Sequence, residues 1–313
     1  MIYTCTLNPA IDLFISTPTF SPEQVNRTSR SELIPNGKGI NVSFILKALG
    51  HANTALGFLA GYMGRFVENG VDQAEIGTDF IFVEGETRVN VFTFDEQTEH
   101  EYKLVNPGPV VEEKAQRLLL EKISKMNAGD LLLLSGSNPP GIQDQLLVKI
   151  AQLCNEKQIK FVLDVSSPIV KECANYQPYC IKPNETELAS WFDKEDLSIP
   201  ELVVLAEQLI ETGVQQVLLT MGGEGALLIT SDRLIQVTAP KIKPINTSCA
   251  GDTVLATYIG SLLDGEDELA ALKKSVAAGS STAQVAGLTD FSDVDELLKD
   301  IKVIQNSNRT NKR

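Results

Sequence analysis

The sequence is poor in residues that several common kinds of site require. Its 313 residues include two histidines, so histidine triads and multi-histidine metal sites are poorly supported. The five cysteines are odd in number and form no C-x-x-C pair, which argues against a disulfide framework and a zinc ribbon. Such cysteine use is typical of a reducing compartment, and we expect a cytoplasmic protein.

Long apolar runs and an excess of positive charge are also lacking. The N-terminus has no basic stretch before an apolar run, and no window approaches the roughly 20 apolar residues that cross a bilayer. The 27 Lys and Arg residues are outnumbered by 41 Asp and Glu residues, which gives a net charge of -14. This balance opposes general binding to nucleic acid or to anionic membranes. Any anionic ligand therefore needs local positive groups.

The chain alternates short β-branched or leucine-rich runs with stretches of helical periodicity. This alternation predicts an α/β fold with a mostly parallel central sheet and helices on both faces. We predict strands at 2–7, 53–60, 130–136, 160–166, 179–183, 214–230 and 228–245, and helices at 39–50, 109–126, 143–157, 199–213 and 249–263.

Two segments break this alternation, namely residues 11–34 and 87–105. Each segment has the pattern of consecutive strands that no helix separates, which predicts a small antiparallel β lid beside the main sheet. No Pro/Ser-rich linker or internal repeat divides the chain, so we expect a single domain over residues 1–313. The last residues, "QNSNRTNKR", predict a frayed polar tail.

The segment "CAGDTVLATYIGSLL" predicts a helix whose first turn is small and whose later positions are apolar. Small residues allow close approach of a ligand, and the free N–H groups of a helix start favour anions. A carboxylate at Asp252 could accept a proton from a substrate hydroxyl while those N–H groups stabilise a phosphoryl group. The alternative is that Asp252 only caps the helix.

A second glycine-rich segment, "IPNGKGINVSFILKALG", lies at a predicted strand-to-helix junction. Gly37 and Gly39 flank Lys38, and Asn41 follows on the first helical turn, so a flexible loop, a cation and an amide converge. This combination favours a polar, phosphorylated ligand. It is neither a Walker A loop nor a dinucleotide-binding G-x-G-x-x-G, and a tight turn with a solvated lysine remains the alternative.

The order and spacing of these segments resemble the ribokinase/PfkB family of carbohydrate kinases over about residues 1–300. The resemblance rests on "TLNPAID", "NGKGINVSFILKALG", "KPNETE" and "CAGDTVLA". Within the family, "VNRT", "GKGINVS" and "TRVNV" resemble 1-phosphofructokinases most, and tagatose-6-phosphate kinases are close relatives. The resemblance implies a ribokinase-like fold with a β lid and an ATP-dependent kinase that uses Mg²⁺.

The resemblance also implies a role for each matching residue. Asp252 is the expected catalytic base, and the N–H groups of Cys249, Ala250, Gly251 and Asp252 are the expected anion hole. The sugar hydroxyls are assigned to Asp12, Gly37 and Asn41, and the sugar phosphate to Lys38, Arg27, Arg88 and Ser137. The nucleotide is assigned to Lys182, Asn184, Glu187, Thr220, Gly222, Gly223, Gly225, Ala277, Ala278 and Gly279, and magnesium to Asn184 and Glu187 through water, with Asp164 as a further candidate.

Each nucleotide motif also has a plain structural interpretation. By itself, "NETE" is typical of a helix start with capping acids, and "TMGGEG" could be a turn. The alanines of residues 277–279 could be ordinary helix packing.

Three positions depart from the family pattern. Asn36 and Cys249 replace the first glycines of Gly-Gly-Lys-Gly and Gly-Ala-Gly-Asp, and a positive φ at Cys249 would cost about 1 kcal/mol. Asn246 stands where many relatives have Asp near a monovalent cation, which puts potassium activation in doubt.

The expected reaction is phosphorylation of fructose 1-phosphate at its C6 hydroxyl. Tagatose-6-phosphate or fructose-6-phosphate kinase is the alternative within the family. A non-catalytic sensor of sugar phosphate or nucleotide is the alternative from another class, and a dehydrogenase is a further one. An exposed lid also predicts a homodimer, since a second copy could cover its strand edges.

Overall fold

The computed structural model describes residues 1–308. Its strands are β1 (Ile2–Thr6), β2 (Ala10–Thr17), β3 (Arg30–Asn36), β4 (Thr54–Ala60), β5 (Gly77–Thr78), β6 (Ile81–Val83), β7 (Arg88–Asp95), β8 (His100–Leu104), β9 (Leu131–Ser135), β10 (Lys160–Asp164), β11 (Cys180–Ile181), β12 (Gln216–Thr220), β13 (Ala226–Thr230), β14 (Arg233–Val237) and β15 (Val303–Asn308). Its α-helices are α1 (Lys38–Ala48), α2 (Gly61–Gln73), α3 (Glu113–Ser124), α4 (Gln145–Glu156), α5 (Val170–Cys173), α6 (Glu185–Trp191), α7 (Ile199–Thr212), α8 (Ala250–Leu263), α9 (Glu268–Ala283) and α10 (Val294–Asp300).

The main sheet has the strand order β15-β14-β13-β12-β11-β10-β9-β1-β4-β5, with β6 paired to the far half of β4. Pairing is parallel from β5 and β6 through to β12 and antiparallel from β12 to β15. The predicted mostly parallel sheet is therefore confirmed.

Both faces of this sheet are buried under helices. Strand β9 shows this directly, because Leu132 and Leu134 belong to one core cluster while Leu131 and Leu133 belong to another. Helices α3, α4, α6 and α7 contribute to the first cluster, and α1, α8, α9 and α10 to the second. A run of four leucines is what a strand buried on both faces requires.

The lid is a separate four-stranded sheet in the order β3-β2-β7-β8. Its strands come from the two segments that were predicted to form it. The β2–β3 and β7–β8 pairs are antiparallel, but β2 and β7 pair in parallel. The lid is therefore mixed rather than purely antiparallel.

Two further predictions at the C-terminal half need correction. Residues 238–249 form no strand, whereas the sequence pattern predicted strands through residue 245. Residues 303–308 form β15, which pairs with β14, so the first part of the predicted frayed tail is ordered. The rest of that predicted tail, residues 309–313, lies outside the described residues. No helix in residues 1–308 is long and apolar enough to cross a membrane.

Candidate active site

A cavity of about 900 Å³ opens at the carboxyl ends of the parallel strands, between the main sheet and the lid. Polar residues follow those strand ends: Asp164 ends β10, Lys182 follows β11 and Thr220 ends β12. The lid contributes Asn36 and Asn90, and the start of α8 contributes residues 249–252. Ligands of open α/β sheets bind at this edge because consecutive loops diverge there.

Asp252 lies in the first turn of α8 and is buried, with 5 % of its surface exposed. The N-cap of this helix is Cys249, and the helix has no side-chain capping bond. Asp252 Oδ2 instead accepts a hydrogen bond from Asn41 Nδ2 at 2.8 Å. The interpretation of Asp252 as a capping residue is therefore wrong, and its carboxylate faces the cavity.

A second buried carboxylate sets the charge around Asp252. Asp164 is fully buried, and its Oδ1 lies 3.2 Å from Nζ of both Lys38 and Lys182. These two ammonium groups hold the pKa of Asp164 below its usual value despite the opposing effect of burial. Burial and the charge of Asp164 raise the pKa of Asp252 to about 7, against the opposing effects of Lys38, Asn41 and Lys182. Asp252 therefore has the proton affinity that a general base needs near neutral pH.

Cys249 has the left-handed backbone conformation that the family glycine would adopt easily, with φ 65°. The first i to i−4 bond of α8 runs from Thr253 N to Cys249 O at 2.9 Å, so the N–H groups before it have no acceptor inside the helix. Cys249, Ala250, Gly251 and Asp252 all line the cavity. One of these N–H groups, that of Ala250, donates to the Thr247 carbonyl oxygen at 3.4 Å. Cys249 adopts the left-handed conformation at an energetic cost that glycine would not have.

Asn41 lines the cavity at its lid side, whereas Asp12 lies outside the lining and contacts it through Asn36 and Asn90. Asp12 is buried and accepts hydrogen bonds from Asn90 Nδ2 at 2.8 Å and from Asn36 Nδ2. Burial raises the pKa of Asp12, while these two donors and Arg88 lower it. Gly37 has φ 142°, a backbone conformation that favours glycine, whereas Asn36 itself does not have a positive φ. A change from glycine at residue 36 therefore brings no backbone strain.

The three cations assigned to the sugar phosphate are not gathered at one place. Arg88 lines the cavity, and its guanidinium donates to the carbonyl oxygens of Asn8 and Asn106 at 2.9 and 3.1 Å. Lys38 points to Asp164 instead; burial lowers its pKa, and Asp164, Asp252 and Glu187 raise it above the usual value overall. Arg27 is exposed in the β2–β3 loop, and the cavity lining does not include it.

Ser137 is exposed and lies outside the cavity lining, but Asn8 connects it to Arg88. Asn8 Nδ2 lies 3.5 Å from Ser137 Oγ, while the Asn8 carbonyl accepts from Arg88. Among the described residues, Asn8 Oδ1 and Arg88 Nε are buried polar atoms without a hydrogen-bond partner. Burial also lowers the pKa of Arg88, so this guanidinium would be stabilised by an anion.

The glycine-rich turn after β12 forms the opposite end of the cavity, where Thr220, Gly222, Gly223 and Gly225 all line it. Gly225 has φ 101°, and a Cβ there would lie 2.1 Å from the Val237 carbonyl oxygen. A Cβ at Gly222 or Gly223 would meet nothing within 4 Å. These two glycines therefore leave the backbone open to a phosphate, while Gly225 allows the tight turn.

Of the three α9 residues assigned to the nucleotide, one lines the cavity. Gly279 lines the cavity, and a Cβ on it would lie 2.5 Å from Val254 Cγ2, so glycine also allows α8 and α9 to pack closely. Ala277 and Ala278 are fully buried in the core and do not line the cavity. The plain packing interpretation fits these two alanines.

The residues assigned to magnesium fit a metal held through the nucleotide. Asn184 and Glu187 form a capping box at the start of α6 and also line the cavity. Within residues 1–308, no group of three or more His, Cys, Asp or Glu side chains could hold a metal alone. Asp164 is outside the cavity lining and engaged by two lysines. Mg²⁺ prefers few protein carboxylates together with water and phosphate oxygens, so Asn184 and Glu187 would hold it and it would neutralise phosphate charge.

The side chain of Asn246 does not present a carboxylate to a monovalent cation. Its Oδ1 accepts from Ser248 N at 2.9 Å, and its Nδ2 donates to Ala286 O at 3.2 Å. Because a backbone N–H can only donate, the first contact fixes the orientation of the carboxamide. The Asn246 amide N–H therefore faces the Ala286 carbonyl oxygen. An N–H group cannot bind a cation, so these contacts do not fit a potassium site.

Sequence reasoning assigned no role to several residues of the site. Asn8 and Asn90 lie inside the quoted segments "TLNPAID" and "TRVNV", so their position was visible but their contacts were not. The loop after β14 carried no signal because it had been predicted as strand. It supplies an apolar wall with two prolines, and its lining residues are Ala239, Pro240, Lys241, Ile242 and Pro244.

Comparison with known proteins gives concordant results. A model of the pfkB family of carbohydrate kinases matches residues 5–295. The D-tagatose-1-phosphate kinase of Bacillus licheniformis is 43 % identical, with 97 % of this chain and 99 % of that protein covered. The 1-phosphofructokinase of Bacillus subtilis is 33 % identical, with 97 % and 99 % covered. The crystal structure of phosphofructokinase-2 from Escherichia coli in complex with fructose-6-phosphate superposes with a TM-score of 0.88 at 26 % identity, over 95 % of this chain and 98 % of that one.

Proposed function

Since this chain belongs to the pfkB family of carbohydrate kinases and is an ATP-dependent phosphosugar kinase, we propose that its acceptor is a ketohexose 1-phosphate, phosphorylated on the C6 hydroxyl. The observation that carries the proposal is the cavity itself. It joins a base with a pKa of about 7, Asp252, to a half-buried arginine whose buried Nε has no hydrogen-bond partner, Arg88. A hydroxyl and a phosphate of one small molecule match these two groups.

The protein contributes a base, an anion hole and fixed cations to the transfer. Asp252 takes the proton of the attacking hydroxyl, and the N–H groups of residues 249–252 stabilise the charge on the transferred phosphoryl group. Lys38 and Lys182, both 3.2 Å from Asp164, bring positive charge to the same region. Mg²⁺ held near Asn184 and Glu187 would neutralise phosphate charge. Such transfer depends on positioning and electrostatics more than on covalent chemistry.

The phosphate already on the sugar belongs, in this proposal, at the lid end. Arg88 Nε, Asn8 and Ser137 are the supporting groups there, and Asp12, Asn41 and Asn90 are left for the ring hydroxyls. In this proposal, Arg27 and Lys38 do not bind the sugar phosphate held by their own chain. The charge of Arg88 suffices to select a phosphorylated sugar, because a charge-assisted bond contributes about 1.5–3 kcal/mol.

Two ketohexose 1-phosphates are candidates. The motifs "GKGINVS" and "TRVNV" favour fructose 1-phosphate, and the 43 % identity to a D-tagatose-1-phosphate kinase favours D-tagatose 1-phosphate. The two sugars differ only in configuration at C4. Tagatose 6-phosphate and fructose 6-phosphate, attacked at C1, are the alternative that a nearly symmetric furanose ring leaves open.

A panel of acceptors tests the proposal. ADP formation with ATP and Mg²⁺ is measured for fructose 1-phosphate, tagatose 1-phosphate, both 6-phosphates and free fructose. We expect the largest kcat/KM for one of the 1-phosphates and a value lower by about 10-fold or more for free fructose. A preference for a 6-phosphate would overturn the acceptor, and fast phosphorylation of fructose would overturn the phosphate site as well.

Arg88→Ala tests the phosphate site directly, with Arg117→Ala on the exposed face of α3 as the matched control. Arg88→Ala should raise KM for the phosphorylated acceptor by about 10- to 100-fold and leave the slow reaction with fructose unchanged. Equal effects on both acceptors would assign Arg88 a structural role only.

A non-catalytic sensor on this fold remains a candidate only if Cys249 disables the site. Family membership and the proton affinity of Asp252 favour the enzyme. Tight nucleotide binding without turnover of any acceptor would favour the sensor. For its location we propose the cytoplasm, because all five thiols are free, as is common in a reducing compartment.

A homodimer through the lid is a further part of the proposal. The outer lid strands β3 and β8 have unpaired edges, where Leu33, Tyr102 and Leu104 are exposed, and Phe94 is exposed on the neighbouring strand β7. A second copy would cover both the edges and the apolar side chains. Light scattering at micromolar concentration should give twice the mass of 34.1 kDa. The monomer mass, or a dimer unaffected by Leu104→Lys and Tyr102→Lys, would contradict this interface.

A further inference from the structure

Asn36 lies between the two carboxylates that the proposed reaction uses. Its Nδ2 donates to Asp12, and its Oδ1 accepts from Asn41 Nδ2 at 2.9 Å. Asn41 Nδ2 also donates to Asp252 Oδ2 at 2.8 Å. A continuous hydrogen-bonded chain therefore runs from lid strand β2, through the end of β3 and the start of α1, to the first turn of α8.

The orientation of the Asn36 carboxamide follows from its neighbours. The N–H of Gly37 donates to Asn36 Oδ1 at 2.5 Å, and a backbone N–H can only donate. The amide nitrogen must then face Asp12, whose carboxylate is an acceptor. Asn36 is thus both the donor that Asp12 receives and the acceptor that orients Asn41. Alanine could make neither bond, and aspartate could make only the second.

We propose that Asn36 is a positioning residue, which ties the carboxylate that binds the sugar hydroxyls to the carboxylate that takes the proton. The inference rests on the proposed function. Asp12 lies on the lid strand β2 and Asp252 on helix α8, so a shift of the lid relative to α8 would misplace the attacking hydroxyl. Positioning errors of this kind lower rates because the reacting atoms must meet within a narrow range of distance and angle.

The number of hydrogens on Asn41 Nδ2 links this series of hydrogen bonds to a measurable quantity, the pKa of Asp252. Asn41 Nδ2 has two hydrogens but three acceptors: Asn36 Oδ1, Asp252 Oδ2 and, at 3.1 Å, Cys249 Sγ. Removing the Asn36 oxygen leaves one hydrogen for each of the other two. Asp252 would then be better stabilised as a carboxylate, and its proton would be lost at lower pH.

The charged groups around this chain are few and known. Arg88 acts on Asp12, and Asp164, Lys38 and Lys182 act on Asp252. The thiol of Cys249 lies near both carboxylates, and burial raises its pKa, with Asp252 and Asp12 adding to the effect. A variant of Asn36 leaves Arg88, Asp164, Lys38 and Lys182 in place, but it removes a contact of Asn36 that lowers the pKa of the Cys249 thiol. Because that pKa already lies above its usual value and losing Asn36 would raise it further, the thiol stays neutral in every variant. Differences between Asn36 variants in pH dependence therefore report on the Asp12–Asn36–Asn41–Asp252 chain.

The test compares Asn36→Ala and Asn36→Asp with the wild type in kcat/KM for the acceptor between pH 5.5 and 8.5. We expect Asn36→Ala to lose about 10- to 100-fold, with its acid limb at lower pH than that of the wild type. Asn36→Asp should lose more at pH 8, where its carboxylate opposes Asp12. Its ratio to the wild type should recover toward pH 5.5, because a proton shared by the two carboxylates restores a donor.

The controls separate this inference from the function it rests on. Asn155→Ala removes an exposed carboxamide from α4 and should match the wild type at every pH. Equal, pH-independent losses in both Asn36 variants, or no loss in either, would overturn the positioning role while the kinase function stands. If Asn36→Asp does not fold, an unshifted acid limb in Asn36→Ala overturns the inference by itself. A wild type that phosphorylates none of the sugar phosphates would overturn the proposed function and this inference together.

Discussion

The properties of Asp252 come from burial and from four neighbours. Its carboxylate is removed from water, close to a second carboxylate, and balanced by Lys38, Lys182 and the amide of Asn41. Burial and like charge both disfavour the ionised form. The two lysines keep the effect moderate, so the carboxyl remains ionisable at neutral pH.

A first prediction concerns the pH dependence of the wild-type rate. The base must be unprotonated, and its pKa is raised to about 7 by burial and by Asp164. The kcat/KM for the acceptor should therefore rise with pH through an acid limb near 7 and reach a plateau above it. A rate that is flat from pH 5 to 8 would contradict a base with this proton affinity.

A second prediction concerns Cys249. Burial raises the pKa of its thiol, with Asp252 and Asp12 adding to the effect, so alkylation should be slow at pH 7 and faster at higher pH. Because Cys249 lines the cavity at the start of α8, a bulky alkyl group there should block turnover and ATP should slow the labelling. The Cys249→Gly variant should remain active and resist inactivation. Full activity after complete labelling of Cys249 would exclude it from the phosphate path.

At the scale of elements, the sequence predicted strands and helices best where the elements are buried. The unbroken leucine run of β9 and the apolar spacing of α4 and α7 made those elements visible. The strand β15 was missed because most of its residues are polar and exposed; backbone pairing with β14 and a hydrogen bond from Arg233 to Asn306 Oδ1 hold it. The stretch after β14 alternates apolar and polar residues, but Pro240 and Pro244 cannot donate to a ladder.

The site was predictable to the extent that its chemistry is local. Helix starts and glycine turns are short segments, and the residues assigned there line the cavity, namely residues 249–252, Thr220, Gly222, Gly223 and Gly225. The cations depend on distances that the sequence does not contain. Lys38 turns to Asp164, which is 126 residues away in the chain, and Arg27 lies on an exposed loop.

A third prediction belongs to the connection between the loop before α8 and the loop after α9. Asn246 Nδ2 donates across the two loops to Ala286 O, while its Oδ1 accepts from Ser248 N within its own loop, so no cation is needed there. Activity should be the same within about twofold in K⁺, Na⁺ or tetramethylammonium salts of equal ionic strength, by the geometry of that carboxamide. Strict dependence on K⁺ would show that the carboxamide does not replace the ion.

At the scale of the whole molecule, one sheet separates two large core clusters. Strands such as β9 contribute to both clusters, so neither cluster can be lost while the other remains intact. The lid is attached through Ile11, which packs with Ile40 and Val67 of the main body in a third cluster. We therefore propose that the chain is one domain.

A fourth prediction follows from that continuity. Thermal unfolding should give one transition, with equal calorimetric and van't Hoff enthalpies. Saturating ATP should raise Tm by binding only the folded state. Two resolved transitions, one of them insensitive to ATP, would contradict a single cooperative domain.

The most direct test of the account is the rate of phosphoryl transfer in Asp252→Asn under saturating ATP, Mg²⁺ and ketohexose 1-phosphate. The amide has nearly the volume of the acid but cannot take a proton, so we predict a rate lower by roughly 10²- to 10⁴-fold. The variant should unfold at the same or a higher temperature than the wild type at pH 8. The reason is that the raised pKa of Asp252 makes its ionised form a cost to folding, and this cost grows as pH rises toward 7. Activity near that of the wild type in the folded variant would contradict Asp252 as the base and, with it, the proposed mechanism.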